Sequence, residues 1–325
     1  MRAVRIHELH GPQSIRVDDL PDPPAPSAGE VAIEVRAAGV NFPDVLLSRG
    51  AYHFKPPPPF ALGGEAAGVV TAVGPGASPF AVGDHVATAF THGCFAEKIV
   101  MPDVSVLKLP PDLPFEVGGA TIFTYLTTTH ALVDRASLAA GETLLVLGAA
   151  GGVGVAAIQI GKALGARVIA AASTDEKLAF CKECGADETI NYAKTPLKDG
   201  LKALTGGAGV DVVYDPVGGA FAEPALRATA WRGRYLVIGF ASGEIPKIPL
   251  NLVLLKGCAI VGVFWGQFVM REPERNREHA DRLFSWMAEG KVKPRIDGVL
   301  PFAKAAEALD RLERRGVKGK LVLVP

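Results

Sequence analysis

The spacing of hydrophobic and polar positions changes rhythm along the chain. Residues 30–37 alternate, with Val31, Ile33 and Val35 on one face and Glu30, Glu34 and Arg36 on the other, which predicts a half-buried strand. Further short strands punctuated by glycine are predicted at 1–6, 15–17, 66–73, His85–Ala89 and 97–100, and their spacing points to a partly closed barrel. The proline run at 56–59 cannot join a ladder and reads as a rigid loop over a cleft. From about residue 115 short apolar runs alternate with helical segments. Runs at 144–147, Arg167–Ala172, Glu188–Asn191, Val210–Asp215, 234–239 and 258–263 predict six strands of one doubly wound parallel sheet. The tail then reverts to a helix near 273–289, a strand near 295–300, a helix near 303–314 and a last strand at 319–324. That last strand needs a partner sheet, and the N-terminal barrel is the nearest one. The pattern predicts an α/β protein in which a continuous domain, 123–264, is inserted into a discontinuous β-rich one, 1–122 and 265–325.

The sharpest local signal lies at 143–177. The apolar run Leu144-Leu145-Val146-Leu147 breaks at Gly148, and Ala150, Gly151, Gly152, Val153 and Gly154 follow. Val155, Ile158 and Leu164 then recur at helical spacing until Gly165 offers a C-cap. Strand, glycine turn and helix together form the context in which backbone N–H groups receive a pyrophosphate. A tight turn without a ligand would need only one glycine, so 148–154 is read as a dinucleotide site. The end of the second strand discriminates between dinucleotides. An NAD site carries Asp or Glu about 20 residues past the glycines. Here Ala172 and Ser173 stand there, followed by Thr174 and Lys177, which leave room for a 2′-phosphate and supply charge. Asp175 dissents, since it can take a ribose, and Ser173 and Thr174 also suit a helix cap. NADP is the expected cofactor.

Composition narrows the class without changing it. The chain has 325 residues, 49% hydrophobic and 21% charged, as in an ordinary globular protein. Lys+Arg and Asp+Glu both number 34, so no nucleic-acid partner is expected. The stretch 143–161 carries no charge, but its clustered glycines favour a buried βα unit over a membrane span. Residues 1–6 show no apolar leader core, and four cysteines make no disulfide framework, so a cytoplasmic setting is expected. Cys181 and Cys184 have CxxC spacing with no second pair, and i, i+3 packing on a helix explains them.

Several motifs now carry a resemblance. Gly39-Val40-Asn41-Phe42-Pro43-Asp44, Gly63-Gly64-Glu65-Ala66-Ala67-Gly68, Val82-Gly83-Asp84-His85-Val86 and Ala149-Ala150-Gly151-Gly152-Val153-Gly154 occur in that order, with Gly185-Ala186-Asp187, Val213-Tyr214-Asp215 and Gly319-Lys320-Leu321-Val322-Leu323 behind them. The chain resembles the medium-chain dehydrogenase/reductase superfamily and, within it, the zinc-independent NADPH:quinone oxidoreductase (zeta-crystallin-like) branch. The resemblance implies a GroES-like barrel joined to a Rossmann domain. Zinc alcohol dehydrogenases of that superfamily have Cys where Asn41 stands and His where Gly64 stands, and their structural zinc needs four close cysteines where this chain has only Cys94. No metal is therefore expected.

Without a metal to polarise a carbonyl, hydride must go to an acceptor that is already electrophilic: a quinone, or a conjugated enone or enal. The resemblance implies that Asn41, Asp44 and Tyr52 line the reaction site, with Asn41 donating to a substrate oxygen, Tyr52 donating or relaying a proton and Asp44 orienting them. It implies further cofactor contacts at Asn41, Thr127, Ser173, Lys177, Tyr192, Phe240, Phe264 and Trp265, beside Gly148, Ala150, Gly151, Gly152, Val153 and Gly154. His92 and His130 are read as satisfied structural histidines. The resemblance also implies a homodimer through the sixth strand. The rival readings are an enoyl- or acryloyl-thioester reductase on the same scaffold and a non-enzymatic NADPH-binding protein of structural or RNA-binding type.

Overall fold

The structure is a computed structural model that describes residues 1–77 and 79–325. The chain forms two compact units: Met1–Thr124 with Gly266–Ala280 and Pro294–Pro325, and Tyr125–Trp265 with Asp281–Lys293. The 281–293 segment, expected with the barrel, belongs to the second unit. There Gln159 Nε2 donates to the Lys293 carbonyl at 2.8 Å, and Leu283 and Val292 are buried.

The first unit is built on Glu30–Val40. Its alternation holds from Val31 to Val35, and from Ala37 to Val40 every side chain is buried. The strand pairs antiparallel with Glu65–Val73, with Lys98–Pro102 and with the last strand, Lys320–Val324, in the register Leu321↔Val40, Val322↔Gly39, Leu323↔Ala38. The C-terminus therefore closes on the N-terminal barrel, as its apolar run required. A smaller sheet joins Arg2–Ile6 to Ile15–Asp19 and Phe60–Ala61. Helix Ala305–Glu313 buries Ala305, Ala308 and Leu309 at helical spacing against the same core.

The second unit holds six strands in the spatial order Glu188–Asn191, Arg167–Ala172, Thr143–Leu147, Val210–Asp215, Thr229–Val237, Ala259–Gly262. All neighbours are parallel. The order reverses beside Thr143–Leu147, the switch point at which doubly wound sheets bind nucleotides. The uncharged stretch 143–161 divides into that strand and helix Gly152–Ala163. Among the described residues no helix is long and apolar enough to cross a membrane.

Candidate functional site

In the first unit, strand Glu30–Val40 runs straight into helix Phe42–Ser48, with Asn41 extended at the junction. Pro43 opens the first turn, where its missing N–H costs nothing. The Asn41 N–H donates to Asp44 Oδ2 at 2.7 Å, one half of a capping box. The Asn41 side chain points elsewhere. Its Nδ2 donates to Glu65 Oε1 at 2.8 Å and to the Gly39 carbonyl at 3.2 Å, while its Oδ1 accepts from Lys320 Nζ at 2.5 Å. Lys320 Nζ also donates to Glu65 Oε1 at 2.8 Å, and Glu65 Oε2 accepts the Phe123 N–H at 2.8 Å. Only glycine at 39 admits this arrangement, since a Cβ there would lie 2.4 Å from Glu65 Oε1.

Both amide hydrogens of Asn41 are thus committed within the unit. The donors expected to reach a substrate or cofactor are engaged here by Glu65 and Gly39. Asp44 is fully buried, and its charge reaches the half-buried Tyr52 phenol. Burial, foremost, pushes the Asp44 carboxyl up to about 7, against the Asn41 N–H and the Lys320 charge and with the Glu65 charge. Tyr52 is half-buried, and its phenol is raised first by burial and then by the Asp44 charge, so it stays protonated and able to donate. Sequence reasoning did not foresee Glu65 and Lys320 as the partners of Asn41. The available signal was a lysine opening an apolar strand and a glutamate between a glycine pair and two alanines.

These residues do not fit a zinc ion. Asn41 presents an engaged amide, Gly64 presents no donor, and the Glu65 carboxylate is already matched by an ammonium. Cys94 is fully buried, with its thiol pushed far up by that burial. The Gly64 carbonyl accepts the Phe90 N–H at 2.9 Å, and an aromatic group forms in the same unit. Phe54 stacks on His92 with ring centroids 5.8 Å apart, and Phe60 meets the same ring edge-on at 5.5 Å. His92 is hydrogen-bonded to the Ala61 carbonyl, and burial lowers its pKa.

In the second unit the glycines divide by task. Gly148 sits at φ 57°, where a side chain is strained, and allows the turn out of the strand. Gly154 is buried where the helix crosses that turn, and a Cβ would lie 2.5 Å from the Gly148 carbonyl oxygen. Ala150 is buried beneath. Gly151, Gly152 and Val153 are half-exposed, at a helix start whose N-cap makes no side-chain hydrogen bond, so its first N–H groups suit a pyrophosphate. These residues fit a dinucleotide.

At the end of strand Arg167–Ala172, Thr174 Oγ1 accepts the Lys177 N–H at 3.2 Å and is used as the N-cap of helix Asp175–Glu183. Asp175, the dissenting residue, is held by Asn191 Nδ2 at 2.6 Å and by Lys194 Nζ. Ser173 and Lys177 are half-exposed at this place, and Tyr192 meets Phe221 at a tilt with centroids 4.4 Å apart. Thr127 opens the turn Thr127–Thr129 and is largely buried. Phe240 lines a small apolar pocket of about 180 Å³ with Tyr235, Ile245 and Ile260. Phe264 is exposed beyond the sixth strand. Trp265 is not available as expected: it opens helix Trp265–Arg271 and is only 6% exposed, which leaves its ring little surface for a ligand. His130 is engaged with Asp134 at 2.9 Å, and Cys181 and Cys184 are buried around one helix end, with the Cys181 thiol pushed up to about 12 by burial.

Comparison with known proteins gives two family matches, an alcohol dehydrogenase GroES-like domain over residues 27–111 and a zinc-binding dehydrogenase domain over 152–285. A quinone oxidoreductase-like protein 2 homolog of Nematostella vectensis is 36% identical over 325 residues, 99% of this chain and 88% of that protein. The quinone oxidoreductase of Homo sapiens is 34% identical over 326 residues, 100% of this chain and 98% of its own. Among solved structures, Escherichia coli quinone oxidoreductase complexed with NADPH superposes with a TM-score of 0.93 at 31% identity, covering 100% of both chains.

Proposed function

The chain belongs to the medium-chain dehydrogenase/reductase superfamily, in its zinc-independent quinone oxidoreductase branch, and we propose that it is an NADPH-dependent oxidoreductase whose acceptor is a quinone or a conjugated enone or enal. The observation that carries the reading is the second strand's end: Ala172 and Ser173 where an acidic ribose acceptor would stand, Lys177 beside them, and Asp175 tied to Asn191 and Lys194. Gly151, Gly152 and Val153 would hold the pyrophosphate, and Ser173, Lys177 and Tyr192 the 2′-phosphate. Thr127, Phe240 and Phe264 are proposed for the nicotinamide end.

Bound NADPH would supply the hydride, that is two electrons and one hydrogen nucleus, leaving NADP⁺. The chain supplies the remainder. A quinone that accepts hydride needs one proton to become a hydroquinone, and Asp44 and Tyr52 are the groups that hold protons at the first unit's site. With its carboxyl at about 7, Asp44 is partly protonated near neutral pH, and the Tyr52 phenol donates to an oxygen on which charge develops. The rings of Phe54, His92 and Phe60 suit a planar acceptor.

The test is steady-state oxidation of NADPH and NADH with a simple quinone and with a conjugated enone, with and without a zinc chelator. Turnover that prefers NADPH and ignores the chelator is expected. Tight NADPH binding with no turnover on any acceptor would reject the reading, and chelator-sensitive turnover would reject its metal-free chemistry.

A homodimer is part of the proposal. Among the described residues the sixth strand, Ala259–Gly262, pairs along one edge and is largely exposed, and Trp231, Leu250, Leu254 and Leu255 stand open nearby in the same unit, Leu254 at 79%. Exposed apolar groups beside a bare strand edge suit a second copy. Light scattering should give twice the chain mass for the wild type and the chain mass for Leu254→Glu. A monomeric wild type would exclude the dimer. The absence of paired cysteines supports placing the protein in a reducing compartment such as the cytoplasm.

A further inference from the structure

Lys320 is the least expected residue of the first unit's core. Lysine is almost never fully buried unless paired, and here the side chain is 4% exposed. An ammonium has three hydrogens, and Lys320 Nζ meets three acceptors: the Val40 carbonyl at 2.9 Å, Asn41 Oδ1 at 2.5 Å and Glu65 Oε1 at 2.8 Å. A buried ion pair is a poor source of stability, since an apolar pair of the same volume often does as well. What the pair does distinctively is geometric. Strand Lys320–Val324 delivers the ammonium, strand Glu65–Val73 the carboxylate, and the junction of strand Glu30–Val40 with helix Phe42–Ser48 the amide. The Asn41 backbone in turn holds Asp44 through its N–H.

We propose that Lys320 is a positioning residue for the reaction: its ammonium locks the Asn41 amide and the Glu65 carboxylate into one arrangement and thereby fixes Asp44 for proton delivery. This rests on the hydride-transfer reading above. Lys320 acts through Asn41 and Glu65, without touching acceptor or cofactor. It also acts on Asp44 through charge. The ionisable groups bearing on Asp44 are Lys320, Glu65, Tyr52 and Cys94. Lys320 favours the ionised carboxylate and Glu65 the protonated acid, so removal of the ammonium alone shifts Asp44 upward.

The test compares three full-length variants with the wild type: Lys320→Arg, Lys320→Met and the double variant Lys320→Met/Glu65→Gln. The double variant removes both members of the buried ion pair, so it carries the test if Lys320→Met does not fold. Measured for each are Tm, NADPH Kd, kcat and KM for a quinone, and the pH dependence of kcat. The expected result is a kcat lowered by about 10²-fold, the scale of a misplaced catalytic group, in the double variant, with Kd unchanged and a wild-type Tm. Lys320→Met should move the kcat profile to higher pH, and Lys320→Arg should restore most of the rate. A double variant with wild-type Tm and wild-type kcat would overturn the proposal, leaving Lys320 a structural ion-pair partner only. So would losses of kcat and NADPH affinity that merely follow Tm. A wild type that reduces no acceptor would instead overturn the hydride-transfer reading, and this inference with it.

Discussion

Gly154→Ala is expected to destabilise the second unit and to remove most NADPH affinity. The added methyl would lie 2.5 Å from the Gly148 carbonyl oxygen and 2.6 Å from that of Ala149. Both are backbone atoms, so no rotamer change relieves the clash, and the glycine turn or the helix must shift. Overpacking of this kind costs about 1–3 kcal/mol, and the displaced elements are the ones that present N–H groups to the pyrophosphate. Thermal melts and an NADPH titration check the result. Gly151→Ala is the control, since its Cβ would sit at an ordinary 3.5 Å from the Gly148 oxygen and its φ of −79° suits any residue. It should melt close to the wild type. Equal melting temperatures for all three proteins would show that the helix does not depend on this close approach.

Lys177→Ala should weaken NADPH by about 1.5–3 kcal/mol and leave NADH nearly unchanged, because a charge-assisted hydrogen bond to a 2′-phosphate exists for only one of them. The neighbouring candidates are engaged elsewhere. Thr174 is used as the helix cap, and Asp175, the residue able to favour NADH, is turned to Asn191 and Lys194. Paired Kd measurements for the two cofactors decide it. Equal loss for both would place Lys177 outside the phosphate site and reopen the choice of cofactor.

The cofactor unit was legible because its information is local. The run 144–147, the glycines after it and the helical spacing of Val155 and Ile158 lie within one stretch, and each predicts the next. The six strands were therefore found in order, with ends that shift by a few residues; the fifth, expected at 234–239, spans Thr229–Val237 through an irregularity after Val210. Two short strands, Phe60–Ala61 and Val106–Lys108, passed unseen because two or three residues carry no period.

The polar residues proposed for the acceptor side, Asn41, Asp44 and Tyr52, were visible in the sequence, yet an asparagine at a strand-to-helix junction gives no sign of where its amide points. That depends on Glu65, 24 residues away, and on Lys320, 279 away. Likewise Trp265 reads as a strand-end aromatic until the helix it opens buries it. The sequence by itself determined the nucleotide cradle, the apolar alternation of the barrel and the lack of zinc ligands at 41 and 64, because each follows from residue type or short-range spacing. Only the tertiary structure decided which polar groups are already satisfied. A charge at the start of an apolar strand reads as solvent-facing until the chain closes on itself, and in the buried interior it is the partner brought by distant strands, not the local pattern, that makes an ammonium tolerable.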